Sequence, residues 1–275
     1  MRIEKTGEIS TALLLVSAFS GFVLAYQYEV AAPFISTTAI EAVLPFGSFW
    51  RSVHFWSSQA FFLALAVHVW QCTDSITHFC RSLRGRIHWV VVGLTLPMAL
   101  YALFSGYVLR FDGTGQDAGR IAEHLLLDVP LLGTALDRLV MATADEGLNR
   151  VYAVHILFTV LCWGIGTWYH TRRVTMGRRI FFFTLSASLL SGALLYAPID
   201  LPDQNLHLIK GPWFFLGIQE LLRYLPPVMA GIAFPMIPIA VLLILPWLKN
   251  RKNAYTLLSV WFLVYATATL VASLR

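Results

Sequence analysis

Four histidines on apolar segments are the residues of this chain best suited to bind a redox cofactor. His54 and His68 are fourteen residues apart, and His155 and His170 are fifteen apart. At about 1.5 Å per residue, the members of each pair lie roughly 21–22 Å apart along a helix, and at about 100° per residue they stay broadly on one face. Two such helices side by side can bind one haem iron near each end, with one histidine from each helix. The spacing therefore predicts two non-covalent bis-histidine b haems and an electron path between them.

Composition places these histidines in a membrane. Hydrophobic residues make up 57% of the 275 residues and charged residues only 13%, which is typical of a polytopic membrane protein. A helix needs about 20 apolar residues to cross a bilayer, and the apolar runs indicate about seven such helices. We predict an all-α membrane helix bundle with a four-helix dihaem core and surface helices on the outer side. The predicted spans are residues 9–29, 48–72, 88–109, 150–171, 179–198, 227–248 and 255–273.

The charges divide unequally between the two sides of this bundle. The N-terminus and the loops after spans two, four and six hold twelve cations and three acids, leaving eight cations and twelve acids on the other side. By the positive-inside rule the cation-rich side is cytoplasmic, so we expect a cytoplasmic N-terminus and an outside C-terminus, in the cytoplasmic membrane of a bacterium or archaeon. His54 and His155 then lie toward the outside, and His68 and His170 toward the cytoplasm.

Cysteine usage and repeats exclude several classes of protein. Cys72 and Cys80 fall on the cytoplasmic side and Cys162 falls inside a span, so we expect free thiols. No Cys-x-x-Cys-His occurs, which excludes ordinary covalent c-type haem. The chain has no inverted repeat of the kind that transporters show, and nothing in it indicates nucleic-acid binding.

Two longer segments lie outside the membrane on the outer side. Residues 111–149 begin with the turn-rich Asp112–Gly115 and contain two predicted surface helices, 121–127 and 131–141, which we interpret as a lid over the outer haem. Residues 198–226 include the apolar run Trp213–Phe215, which is either a membrane anchor or the wall of a binding pocket.

At these residues the chain resembles cytochrome b, the membrane subunit of respiratory and photosynthetic cytochrome bc complexes. The resemblance covers nearly the whole chain. It implies a dihaem core with its lid over residues 1–175 and a three-helix quinone-site half over residues 176–275. The matching segments are Trp50–His54, Val67–Val69, Ser105–Leu109, Val129–Thr134, Arg150 with Tyr152 and His155, and Lys210–Leu216.

The resemblance also implies roles for individual residues. His54 and His155 would ligate the outer, low-potential haem, and His68 and His170 the inner, high-potential one. Arg51 and Arg150 would lie near the propionates of the outer haem, where cations are also favoured on physical grounds. The remaining implied contacts are Gly7, Gly21 and Gly106 against the macrocycles, unless they are simple helix-packing glycines, and Trp213 and Phe214 beside a quinone.

The departures from the family pattern concentrate at the outer quinol site. The family's Pro-Glu-Trp-Tyr is here Gly211–Phe214, so the proton-accepting carboxylate and the phenol are both absent. The family's Pro-Trp after span three is Arg110-Phe111, where Arg110 is either an interfacial cation or a neighbour of the outer haem. Val92 occupies the place of a fourth glycine, with Gly93 one residue away. Residues that could carry protons instead are His207, Glu220, Asp112 and Asp203; His78 and His88 are expected at the cytoplasmic surface, solvated or facing lipid.

The function implied is that of a dihaem cytochrome b subunit of a respiratory complex. It would pass electrons across the membrane between quinol or quinone and partner subunits, an iron–sulfur protein, a c-type cytochrome or both. Membrane lipid is a further partner, and a homodimer is an expectation from the resemblance. The alternatives are a non-bifurcating quinone-linked conduit in another respiratory assembly and a structural membrane anchor that has lost its redox function.

Overall fold

The computed structural model describes residues 3–141, 147–158, 163, 168–172, 175–201 and 210–275. Within these ranges all regular elements are helical, which confirms the prediction of an all-α membrane helix bundle. Four helical segments, two of which combine consecutive helical elements, are long and apolar enough to cross a bilayer. They are Glu4–Ala25, Leu83–Arg110, Met229–Trp247 and Lys252–Leu274.

The part of the chain that the structure describes contains fourteen α-helices. In chain order they are α1 (Ile3–Ala25), α2 (Pro33–Ala42), α3 (Gly47–Asp74), α4 (Thr77–Cys80), α5 (Leu83–Gly93), α6 (Thr95–Arg110), α7 (Gly113–Leu127), α8 (Gly133–Val140), α9 (Leu148–Ala153), α10 (Trp168–Thr171), α11 (Arg178–Leu194), α12 (Leu216–Leu221), α13 (Phe234–Ile244) and α14 (Lys252–Leu274). The π-helical turn Val154–Phe158 continues α9, the π-helical turn Met229–Ala233 precedes α13, and the 3₁₀ turn Leu245–Trp247 follows it.

Helix α3 carries the predicted ligands His54 and His68 and packs along α1 and α11. It contains two histidines together with buried Ser52, Ser57 and Gln59, which make it more polar than a lipid-facing helix. Neighbouring helices cover this polar face. A Cβ atom on Gly192 of α11 would lie 2.2 Å from Cγ2 of Val53, so α11 approaches α3 very closely.

Several predicted span boundaries differ from the helix ends in the structure. The first helix begins six residues before the predicted start because the backbone remains helical through Glu4 and Glu8. The third begins at Leu83 rather than residue 88, since Ser82 Oγ caps it by accepting a hydrogen bond from the Gly85 N–H at 3.0 Å. Of the fourth predicted span, residues 159–162, which include Cys162, and 164–167 lie outside the described residues.

The segment predicted to form a lid begins with a helix where a turn was predicted. Asp112 is the N-cap of α7, and its Oδ1 atom accepts a hydrogen bond from the Gly115 N–H at 2.9 Å. The glycines at positions 113 and 115 are therefore in the first helical turn, and α7 begins eight residues before the predicted surface helix. Helix α8 corresponds to the second predicted surface helix and ends one residue earlier.

A buried tryptophan, Trp89, connects α5 to α13. Trp89 of α5 is 2% exposed, packs in one cluster with Ile76 and Leu245, and donates its indole N–H to the carbonyl of Leu242 at 2.8 Å.

Replacing Trp89 with phenylalanine is expected to destabilise the protein by about 1–3 kcal/mol, because the buried carbonyl loses its partner. Thermal unfolding in detergent, followed by far-ultraviolet circular dichroism, measures the effect. Trp70→Phe is the matched control, since Trp70 is 55% exposed; equal stability of the two variants would contradict this assignment.

Candidate functional site

The structure brings the four predicted histidines together in two pairs. The ring centroids of His54 and His155 are 6.4 Å apart, and those of His68 and His170 are 6.3 Å apart. Imidazole nitrogens ligate a metal ion at about 2.0–2.1 Å, so two imidazoles on opposite sides of one ion have centroids roughly 6.3 Å apart. Each pair is therefore spaced to share one metal atom.

Hydrogen bonds to the Nδ1 atoms orient three of these rings. His54 Nδ1 lies 2.9 Å from the carbonyl oxygen of Ser17, which can only accept, so Nδ1 carries the proton and Nε2 keeps its lone pair. His155 Nδ1 lies 2.8 Å from Ser105 Oγ, and His68 Nδ1 lies 3.1 Å from Thr6 Oγ1. Such partners behind a ring are typical of metal-ligating histidines.

Glycines leave space beside three of the rings. A Cβ atom on Gly21 would lie 2.8 Å from Cε1 of His54, and one on Gly7 would lie 3.1 Å from Cε1 of His68. A Cβ atom on Gly106 would lie 3.5 Å from Cε1 of His155. Gly93 lines the cavity around His68, but a Cβ atom there would lie nearest to Leu243, at 3.3 Å, and not beside a histidine ring. The three glycines named from the sequence thus lie next to the histidines, where a larger residue would crowd the ring.

Two cavities enclose the pairs. The cavity that contains His54 and His155, called here the His54 cavity, has a volume of about 370 Å³. The cavity that contains His68 and His170, called here the His68 cavity, has a volume of about 660 Å³. Both volumes are within the range of about 300–1,000 Å³ that is common for cofactor sites.

An aromatic pair separates the two cavities. Phe61 and Trp163 line both, and their ring centroids are 5.0 Å apart with an edge-to-face angle of 78°. Phe61 lies seven residues from each histidine of α3, and Trp163 lies about midway between His155 and His170. Side chains from both histidine-bearing segments therefore fill the space between the sites.

The arginines named from the sequence differ in their surroundings. Arg51 is buried, lines the His54 cavity, and donates to the carboxylate of Glu41 and to the carbonyls of Ala197 and Pro198. Arg150 is exposed and donates to the carbonyl of Arg138 at 2.9 Å. It is not among the described residues that line the cavity.

The structure places His88 in the site, contrary to the surface position expected from the sequence. His88 lines the His68 cavity, and its ring centroid is 5.6 Å from that of His170 and 5.8 Å from that of Phe79. The position follows from the early start of α5, which puts His88 inside a helix rather than at its end. The Ser82 cap is the sequence signal that could have indicated it.

Tyr28 closes the His54 cavity at the end of α1. Its hydroxyl donates to the carbonyl of Leu109 at 2.7 Å, and its ring stacks on Tyr152. Burial raises the pKa of Tyr28, and the neighbouring Tyr152 raises it further, so this hydroxyl stays protonated and keeps its hydrogen bond at physiological pH.

Trp213 and Phe214 lie beside the His54 cavity. The indole N–H of Trp213 donates to Gln59 Oε1 at 2.8 Å, and Gln59 lines the cavity. Phe214 is buried, with its ring centroid 5.5 Å from that of Tyr107, another lining residue. Of the candidate proton carriers, Glu220 is buried and bound to Tyr224 and Arg275, while residues 203 and 207 lie outside the described ranges.

The donor set suits a metal that brings other ligands with it. In the part of the chain that the structure describes, no group of three or more His, Cys, Asp or Glu side chains could hold a bare metal ion. Two histidines per site are enough where a macrocycle supplies the remaining ligands, as in a haem. The paired imidazoles, the spaces beside the glycines and the cavity volumes all fit such a group.

Comparisons with known proteins agree along most of the chain. The family model described as cytochrome b/b6/petB matches residues 2–170, and the model described as cytochrome b (C-terminal)/b6/petD matches residues 202–274. A cytochrome b from Bugula neritina is 23% identical over 301 residues, covering 94% of this chain and 80% of the relative. A cytochrome b6 from Heliomicrobium gestii is 26% identical over 157 residues, covering 55% and 72%. A solved chain of a hyperthermophilic respiratory complex III has the same fold, with a TM-score of 0.65 and 18% identity over 99% of this chain and 84% of that one.

Proposed function

The chain belongs to the cytochrome b/b6 family, and from this premise we propose that it is the dihaem membrane subunit of a quinol-linked respiratory complex. It would bind two b haems, one between His54 and His155 and one between His68 and His170. Electrons would pass across the membrane between quinol or quinone and redox partner subunits.

The observation that carries this proposal is the pair of centroid distances, 6.4 and 6.3 Å, each within its own cavity. A structural anchor without cofactors would have no reason to keep both pairs at the spacing of a shared metal. Bound haem supplies reversible one-electron transfer at its iron.

The side chains of this chain then have three tasks. The histidines would ligate the iron, and Ser17, Ser105 and Thr6 hydrogen-bond three of the imidazoles in an orientation suited to this. The glycines at positions 7, 21 and 106 leave room for the flat macrocycles. Phe61 and Trp163 place two aromatic side chains between the two sites, and electrons would pass from one haem to the other past these rings.

Orientation and partners follow from the charges and the family. The cation-rich side is cytoplasmic in our proposal, which puts the N-terminus inside, the C-terminus outside and the His54 site near the outer surface. Residues 1–175 form the haem-binding part with its lid, and residues 176–275 form the quinone-site half. Quinone binds near Trp213 and Phe214, and an iron–sulfur or c-type cytochrome subunit docks on the outer side; lipid and a second copy of the chain complete the assembly.

One observation favours a variant of this function without bifurcation. Gly211–Phe214 lacks the family's carboxylate, and Glu220, a candidate replacement, is held by Tyr224 and Arg275 at 3.0 and 2.8 Å and is not among the described residues that line the His54 cavity. A site whose nearby carboxylate, Asp112, is already paired with Arg110 is poorly suited to accept the protons that a quinol releases when its two electrons are split. The second candidate is therefore a simple quinone-linked electron conduit.

A haem count tests the proposed function. The pyridine haemochrome assay on the purified full chain should give two b haems per chain, and a redox titration of the visible spectrum should resolve two midpoint potentials. Addition of a reduced quinol analogue should then reduce at least one haem, with a boiled sample as control. Protein free of haem would refute the electron-transfer function, and haem that no quinol reduces would refute the link to quinone.

A further inference from the structure

Only two charged side chains, Arg51 and Arg110, are among the described residues that line the His54 cavity. Each of the three guanidinium nitrogens of Arg51 already has an acceptor within the protein: Nε binds Glu41, Nη1 binds the carbonyl of Pro198, and Nη2 binds the carbonyl of Ala197. Arg51 is thus committed to joining α2, α3 and the segment after α11, which reduces its capacity to bind an anion inside the cavity.

Arg110 is held in place but retains an unsatisfied donor. Its Nη1 atom donates to the carbonyl of Pro198 at 3.0 Å, its Nη2 atom lies 2.6 Å from Asp112 Oδ2, and its Cζ atom lies 4.6 Å from the ring centroid of Tyr107. The side chain is 10% exposed, and Nε is buried without a hydrogen-bond partner. A buried guanidinium N–H without an acceptor is costly, so an acceptor entering this cavity would remove that cost.

We propose that Arg110 is the residue that binds an acidic substituent of the haem in the His54 cavity and raises the midpoint potential of that haem. The inference rests on the proposed function, since it requires a haem at this site. A guanidinium attracts a carboxylate, and Nε–H is the donor of Arg110 left to bind one, because Nη1 and Nη2 already bind Pro198 and Asp112. A positive charge beside the cofactor favours its reduced form, which carries one more electron. Arg150, named for this task from the sequence, is exposed and bound to the lid.

The charged residues that line the His68 cavity indicate that Arg110 raises the midpoint potential of only the haem in the His54 cavity. The described residues lining the His68 cavity include Glu4 and Glu8 but no lysine or arginine. Arg110 lies at the far end of α6 from that cavity, and the two sites are separated by Phe61 and Trp163. The haem of the His68 site therefore serves as an internal reference in the same sample.

Redox titration of the purified full chain tests the proposal with two variants at the Arg110–Asp112 pair and one control. Asp112→Asn keeps a side chain that can cap α7 and removes the closer of the two carboxylates beside Arg110, leaving Asp200 Oδ2 at 3.8 Å. Arg110→Gln with Asp112→Asn removes both charges and avoids a buried unpaired carboxylate, which could prevent Arg110→Gln alone from folding. Arg120→Gln is the matched control, because Arg120 pairs with Asp117 on the exposed face of α7.

The single and the double variant are expected to shift the midpoint potential of the His54-site haem in opposite directions. Asp112→Asn should raise the potential of the His54-site haem, and the double variant should lower it below the wild-type value, by about tenfold in the ratio of reduced to oxidised haem, or about 59 mV for one electron. The His68-site haem and Arg120→Gln should show no shift. If the double variant keeps the wild-type potential, Arg110 serves only to neutralise Asp112 and the proposal is wrong; a larger shift from Arg150→Gln would also overturn it. Wild-type protein without haem at the His54 site would refute this proposal and the proposed function together.

Discussion

Replacing His54 with alanine is expected to lower the haem content from two b haems per chain to one and to abolish the absorption band of the haem at the His54 site. His54 and His155 have ring centroids 6.4 Å apart, and no other histidine among the described residues lines their cavity. The remaining imidazole cannot hold the iron from both sides, so the site loses most of its affinity. The His68 site lies beyond Phe61 and Trp163 and should keep its haem.

The measurement is a pyridine haemochrome assay combined with a dithionite-reduced difference spectrum at low temperature. His68→Ala should give the complementary result, loss of the other band. His78→Ala is the matched control, because His78 is an exposed histidine in the short helix after α3. A His54→Ala protein with both bands intact would disprove the ligand assignment, and loss of both haems from either variant would indicate that the two sites do not bind independently.

His88 lies close enough to the His68 site to replace a missing ligand there, and the comparison of His54→Ala with His68→Ala can reveal such a replacement. Its ring is 5.6 Å from that of His170, and it belongs to α5 rather than to either helix of the predicted pair. If His88 replaced His68 as a ligand in the His68→Ala protein, the haem would remain with a shifted spectrum. His54 has no such neighbour among the described residues, which is why the substitution at position 54 gives the clearer test.

The sequence predicted the positions of the spans better than their ends. Apolar runs report burial in lipid, so the helices around α6, α13 and α14 could be located from hydropathy alone. Helix ends depend on local hydrogen bonds, such as the Ser82 cap of α5 and the Asp112 cap of α7, which override polarity and turn propensity. The ten-residue helix α2 was missed because it is too short to span a membrane and has no strong periodic signal.

The residues of the candidate site likewise divide into those that the sequence predicted and those that only the structure revealed. Four histidines and three glycines could be named from the sequence. Their spacing within single helices and their resemblance to the family pattern both depend on local sequence alone. Phe61 and Trp163, the place of His88, and the partners of Arg51 depend on how separate helices meet, which no single segment encodes. Arg110 is intermediate: the departure from the family pattern was visible, but its buried, unpartnered Nε could be found only with Pro198, Tyr107 and Asp112 in place.

Replacing Gly21 with valine is expected to remove the haem of the His54 site without destabilising the helix that carries the substitution. A Cβ atom at this position would lie 2.8 Å from Cε1 of His54, closer than atoms of this kind normally approach, so the ring would have to turn away from the shared metal position. Valine adds two further methyl groups to the same space. The haem of the His68 site should remain, and Gly7→Val should show the reverse pattern.

The two interpretations of these glycines predict different results for the milder change Gly21→Ala. If Gly21 only lets α1 and α3 pack closely, alanine should leave the haem spectrum unchanged and affect only unfolding, where its helix propensity, about 1 kcal/mol better than that of glycine, opposes any loss of packing. If Gly21 makes room for the ligand and its haem, alanine should shift the spectrum and the potential of the His54 site even where the helix becomes more stable. Gly93→Ala is the control for the His54 site only, because Gly93 lines the His68 cavity and its added methyl would meet the flexible side chain of Leu243 at 3.3 Å. An unchanged spectrum in Gly21→Ala, with a fall in thermal stability, would assign Gly21 to helix packing alone.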